Sequence, residues 1–171
     1  VRDGLLAEHL GVGEDEVRRE IDERGGSLVA AVDALRGGDR TLNVDENWTR
    51  AQEIFAPIVK HAADSGVKIA IENCPMIFSR DEWPSGHNLA YNPKIWRRMF
   101  EEFGETIGLN FDPSHLVWLM IDIESAIMEF GERFYFFQAK DVMIDAEGLY
   151  ENGTLSSGIG WQIPRLPGLG D

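Results

Sequence analysis

Ile107-Gly108-Leu109-Asn110-Phe111-Asp112-Pro113-Ser114-His115 is the stretch on which the fold turns. A short apolar run reads as a buried strand, it ends on a carboxylate, and Pro113 closes it. Val67-Lys68-Ile69-Ala70-Ile71-Glu72 repeats the arrangement upstream with β-branched residues and a terminal Glu. Phe134-Tyr135-Phe136-Phe137-Gln138 repeats it downstream and ends on an amide. A helical pattern precedes each strand. Asp45 is the expected N-cap of the first helix, whose apolar face (Ile54, Phe55, Ile58, Val59, Ala62) runs to Ser65-Gly66. Pro93 opens the second, through Phe103, and the third covers about Asp122 to Phe130. Three helix-to-strand units in succession imply an α/β fold with a parallel sheet, in which the polar strand ends share one rim.

Composition narrows the function. The 171 residues are 43% hydrophobic and 27% charged, enough for one domain with a true core and a small appendage. Thirty acidic against sixteen basic residues give a net charge of −14, which repels a phosphate backbone, so nucleic acid is not an expected partner. No apolar run approaches the roughly 18–20 residues of a membrane span, and Val1-Arg2-Asp3-Gly4 does not open a signal peptide, so a cytoplasmic protein without membrane contacts is expected. Cys74 is the single cysteine, which excludes an internal disulfide and a cysteine zinc site. A metal would have to use oxygen and imidazole ligands.

Residues 1–36 read differently, as short helices at Leu5 to Leu10, Glu14 to Arg24 and Ser27 to Arg36, broken at glycines. They form a helical appendage ahead of an α/β region at 37–171. Ala7, Gly11 and Val17 have a helix-turn-helix-like spacing. The second of these helices, however, carries six acids and three arginines, which opposes major-groove docking. The tail 142–171 reads as a Gly- and Pro-rich loop.

Glu72, Asp112, His115 and Gln138 stand at, or just past, the carboxyl ends of successive strands. Taken singly, each has an ordinary reading: a strand-end salt bridge, a turn or helix cap in Asp-Pro-Ser, a satisfied histidine, an idle amide. Together they are oxygen and imidazole donors converging on one centre, a set suited to a divalent cation.

Four blocks carry a resemblance: Ile71-Glu72-Asn73-Cys74-Pro75, Asn110-Phe111-Asp112-Pro113-Ser114-His115-Leu116, Ala139-Lys140-Asp141, and Pro167-Gly168-Leu169-Gly170-Asp171. In this order and spacing, from about Gly37 onward, the chain resembles the sugar phosphate isomerase/epimerase family of the xylose-isomerase-like TIM-barrel superfamily. The resemblance implies a partial (β/α) barrel, from an apparently truncated chain, and a divalent metal (Mn, Mg, Co or Zn) at the carboxyl rim. It makes Glu72 a ligand and acid/base residue, Asp112 a ligand and His115 a catalytic partner of the substrate or metal shell. Gln138 takes a ligand position usually held by histidine, and being a neutral, weaker donor it favours Mg or Mn over Zn. A last glutamate ligand is implied on a strand that would follow Asp171.

Asn73, Trp83, His87, Lys140, Asp141 and Arg165 are the substrate-side candidates. Asn73 is expected to steady the Glu72 carboxylate, Trp83 and His87 (with Asn88) to wall the pocket, and Lys140, Asp141 and Arg165 to meet a phosphate or hydroxyl. Trp161 and the Gly-rich tail are expected to form a lid. The implied activity is isomerisation or epimerisation of a sugar or sugar phosphate by proton transfer at a carbon beside a metal-chelated carbonyl and hydroxyl. Three alternatives stand beside it: an apurinic-site-endonuclease-like metal hydrolase, a non-catalytic truncated barrel, and a helix-turn-helix-like interaction module. A partial barrel also leaves sheet edges open, so a homo-oligomer is expected.

Overall fold

The computed structural model describes residue 19, the backbone of 29–32, and residues 39, 41–75, 88–155 and 160–171. Its centre is a four-stranded parallel sheet in the order β1 (Val29–Val32), β2 (Lys68–Glu72), β3 (Ile107–Phe111), β4 (Phe134–Phe137). Sequential strands joined by helices lie side by side and pair in parallel. Among the described residues no helix is long and apolar enough to cross a membrane.

Period-two alternation in the strands positions the site. Ile69 and Ile71 of β2, with Ile107, Leu109 and Phe111 of β3, point to one face and are fully buried in the main core. Ala70, Glu72, Gly108 and Asn110 therefore belong to the opposite face, and Glu72 is in register with Asn110. The core face is covered by α1 (Val44–Asp64), α2 (Pro93–Phe103) and α4 (Ile123–Phe130), whose Trp48, Phe55, Trp96, Met99 and Phe130 complete the cluster. Trp96 is its hub: fully buried, it meets Phe111 and Phe130 edge-on and donates its indole N–H to Ala90 O at 2.6 Å.

Three expectations change. The helix expected over Ser27 to Arg36 is a strand at Val29–Val32, paired in parallel with Lys68–Ile71, so the sheet starts inside the segment read as a helical appendage. The helices expected over Leu5 to Leu10 and Glu14 to Arg24 fall outside the described residues, except that Arg19 is helical. The cap of α1 is Asn43 rather than Asp45: its side chain accepts from Glu46 N at 3.0 Å while Glu46 accepts from Asn43 N at 2.8 Å, a reciprocal box that satisfies two open donors.

The tail is not one loop. β5 (Asp141–Ile144) pairs antiparallel with β6 (Gln162–Arg165), α5 (Ala146–Asn152) lies between them, and Trp161, Val142 and Trp118 of α3 (Pro113–Trp118) form a second small core. Trp161 is buried edge-on against Trp118, 6.1 Å between ring centres, so it is packing and not a lid.

Candidate metal centre

Glu72 ends β2 and Asp112 follows β3 on the same face, so the pleat delivers both carboxylates to one point of the rim. Asp112 is also the N-cap of α3. Its Oδ1 accepts from Ser114 N at 3.0 Å and Ser114 Oγ at 2.6 Å, which leaves Oδ2 for other partners. The cap and the ligand readings of Asp112 thus hold together, one oxygen for each. One turn into α3, His115 Nε2 lies 3.3 Å from Asp112 Oδ2 and 3.6 Å from Glu72 Oε1. One ligand atom from each of the three residues lies within 4.8 Å of the others.

The side chains are sheltered: Asp112 is 0% exposed, Glu72 14% and His115 17%. Burial works against a charged imidazole, but hydrogen bonding to Cys74 and Glu72 and the charges of Cys74 and Asp112 outweigh it and raise the His115 pKa to about 9. Nδ1 is buried with no hydrogen-bond partner among the described residues, where the ring meets Trp118 edge-on at 6.0 Å. Two carboxylates and one imidazole nitrogen in a sheltered pocket suit a borderline or hard divalent cation.

The expected substrate-side residues separate into distinct groups. Lys140 is at the centre, with Nζ 2.7 Å from Asp112 Oδ2 and 3.8 Å from Glu72 Oε1. Burial disfavours its charge, but the Asp112 hydrogen bond and the charges of Asp112 and Glu72 hold its pKa above the usual lysine value. Gln138 is held at the same rim through its backbone, N–H to Phe111 O at 2.8 Å. Trp83 and His87 lie outside the described residues.

Asn73 does not steady Glu72. It is fully buried, accepts from Asp112 N at 2.6 Å and donates to Asp112 O at 2.9 Å, tying the end of β2 to the end of β3 with both ends of its amide. It is a positioning residue for Asp112. Asn88 does the corresponding work upstream, donating to Glu72 O at 2.7 Å and Cys74 O at 2.6 Å. Supporting bonds of this kind are worth about 10–100-fold in metal affinity, so Asn73→Ala is expected to weaken Mn²⁺ binding by that order in a calorimetric titration.

Asp141 and Arg165 have bonding partners of their own. The Asp141 carboxylate accepts from Gly170 N at 2.9 Å, Gly168 N at 3.0 Å and Val142 N at 2.8 Å. A Cβ at Gly170 would lie 2.4 Å from both Asp141 Oδ1 and Val142 O, and Gly168 has φ +80°, so the Pro-Gly-Leu-Gly block is shaped to clasp this one side chain. Arg165 donates to Pro164 O and lies 3.8 Å from Met143 Sδ.

The clasp has a pH signature. Bonding from the Gly170 N–H, then Val142, Gly168 and Leu169, holds Asp141 below the usual carboxylate range. A depressed folded pKa means that the stabilisation is complete above the ordinary aspartate value and is lost as pH falls through the lowered one. Acidification across that window is expected to raise amide exchange at Gly168 and Gly170 before the main sheet opens, and Asp141→Asn to raise it already at neutral pH.

Comparisons agree with this architecture. A family model described as xylose isomerase-like TIM barrel matches residues 16–162. The curated protein YfiH of Bacillus subtilis (strain 168), itself described as uncharacterized, is 38% identical over 101 residues, which is 58% of this chain and 29% of that protein. Among solved structures, a xylose isomerase domain protein from Planctomyces limnophilus superposes with a TM-score of 0.65 at 14% identity, over 92% of this chain and 50% of its own. A D-allulose 3-epimerase from Methylomonas sp., solved with D-allulose, gives a TM-score of 0.52 at 16% identity over 72% of this chain and 42% of that one. The chain thus spans half or less of the length of each of these relatives.

Proposed function

Since the chain belongs to the xylose isomerase-like TIM barrel family, we propose that its rim serves a metal-dependent isomerase or epimerase acting on a sugar or sugar phosphate. The observation that carries the reading is the convergence of Glu72, Asp112 and His115 within 4.8 Å at the carboxyl ends of adjacent parallel strands. These three residues, with the Gln138 amide as a weaker fourth donor, would hold Mn, Mg, Co or Zn. Such a cation would supply Lewis acidity toward a substrate carbonyl and neighbouring hydroxyl, making the C–H beside them easier to deprotonate.

The chain's own residues do the rest. Glu72 is sheltered and next to that position, so its carboxylate takes the proton from carbon and returns it. Asp112, fixed by Ser114 on one oxygen and by Asn73 through its backbone, keeps the other oxygen in place without reorganisation. His115 presents Nε2 to both carboxylates and would complete the ligand set with it. A negatively charged substrate has Lys140 as the nearest cation. Self-association through the edge of β4 that is unpaired among the described residues, where Phe136 and Phe137 are each 54% exposed, belongs to the same proposal.

Solvent exchange tests the chemistry without requiring net turnover. The Mn²⁺-loaded protein is incubated in D₂O with ketoses, aldoses and their phosphates, and deuterium at the carbon next to the carbonyl is read by NMR. Exchange that disappears in Glu72→Gln supports the proposal. A protein that binds Mn²⁺ and exchanges no sugar proton contradicts it.

A further inference from the structure

We infer that Lys140 is the site's own counter-cation, and that it must leave Asp112 before the carboxylate pair can take a divalent ion, so that this lysine sets how readily the rim loads. The inference rests on the reading of the rim as a metal site. It starts from competition for two oxygen atoms. Asp112 Oδ1 is occupied by Ser114, so Oδ2 is the oxygen left to ligate, and the Lys140 ammonium is hydrogen-bonded to it at 2.7 Å. The same Nζ stands 3.8 Å from Glu72 Oε1. These are the two oxygens that His115 Nε2 faces from α3. An ion held by Oδ2, Oε1 and Nε2 needs both oxygens, and a second positive charge at such separations is repelled strongly where little water intervenes.

Burial shows which partner can move. Asp112 is wholly enclosed, whereas the Lys140 side chain is 50% exposed on a long flexible stem with a route to solvent. The backbone on either side is held: Lys140 N–H bonds Gln138 O at 2.9 Å, and Asp141 is clasped by Gly168 and Gly170. Departure is therefore a side-chain swing. The clasp also removes the alternative of a Lys140–Asp141 surface pair, because the Asp141 carboxylate is given to main-chain N–H groups. Without Lys140, Asp112 Oδ2 would lose its closest cation, at 2.7 Å, and keep only His115 at 3.3 Å, a state that costs stability until another cation arrives.

The test pairs Mn²⁺ titration calorimetry with thermal melts for the wild type, Lys140→Met and Lys140→Gln. Both neutral variants are expected to bind Mn²⁺ more tightly, on the order of tenfold, the gain for a site otherwise open about a tenth of the time. Metal-free, they melt below the wild type, and saturating Mn²⁺ restores them. Lys140→Gln keeps an N–H for Asp112 and carries the test if the methionine variant does not fold. Binding seen only in the neutral variants is the strongest support. If the wild type binds Mn²⁺ and folded neutral variants bind it equally or less well, Lys140 does not compete and the inference falls alone. If no version binds, the metal reading falls and takes the inference with it.

Discussion

Asp112→Ala is expected to abolish saturable divalent-cation binding, and Asp112→Asn to do nearly the same while keeping the helix cap. The pair of variants separates the two duties of this side chain. Oδ1 caps α3 through Ser114, and loss of such a cap costs about 0.5–2 kcal/mol. Oδ2 faces Lys140 at 2.7 Å and His115 at 3.3 Å, where the charge matters. Alanine removes both functions and leaves Lys140 and His115 without their shared anion. Asparagine keeps an oxygen for Ser114 but forfeits the charge, so its melting temperature stays near the wild type while its Mn²⁺ affinity falls by more than the about 10–100-fold expected for a supporting residue such as Asn73. Equal affinity in Asp112→Asn and wild type would remove Asp112 from the ligand set.

Trp96→Ala is expected to have the largest effect on folding. Truncating a fully buried tryptophan costs about 3–5 kcal/mol through lost burial and the cavity left behind. Here the indole also makes two edge-on ring contacts, with Phe111 at 6.5 Å and Phe130 at 5.3 Å, and its N–H satisfies Ala90 O. Phe111 in turn stacks on Phe134 of β4, centroids 4.1 Å apart, and precedes Asp112 in the chain. The cavity therefore opens directly beneath the rim. Against a total stability of about 5–15 kcal/mol for a typical domain, the loss is expected to leave the variant partly unfolded at ambient temperature, read as a collapsed urea midpoint. A midpoint within a few tenths of a molar of the wild type would contradict the account of the core.

What could be read from the sequence follows from how local each signal is. The strands at Lys68–Glu72, Ile107–Phe111 and Phe134–Phe137 announce themselves because strands buried on the core side carry dense apolar runs, and their polar ends name the rim residues directly. Val29–Val32 gives no such signal. Val-Ala-Ala-Val inside an alanine- and leucine-bearing segment suits a helix locally, and only its parallel pairing with β2 makes it a strand. β5 and β6 are missed for the same reason, since their pairing spans α5 and is enforced by Trp118 and Trp161 from separate parts of the chain. Asn73 shows the limit of adjacency: next to Glu72 in sequence, its amide reaches across to the neighbouring strand and holds Asp112. The placement of the Lys140 ammonium between the two carboxylates is likewise a consequence of the sheet bringing β2, β3 and the end of β4 together.

The most direct test of the central claim, that Glu72, Asp112 and His115 jointly hold a divalent ion, is electron paramagnetic resonance of the protein titrated with Mn²⁺, with pulsed detection of nitrogen coupling. The account expects saturable loss of the free-ion signal and an imidazole nitrogen coupling that vanishes in His115→Gln. A folded protein that leaves the free Mn²⁺ signal unchanged, or a bound ion with the same nitrogen coupling after His115 is replaced, would contradict it.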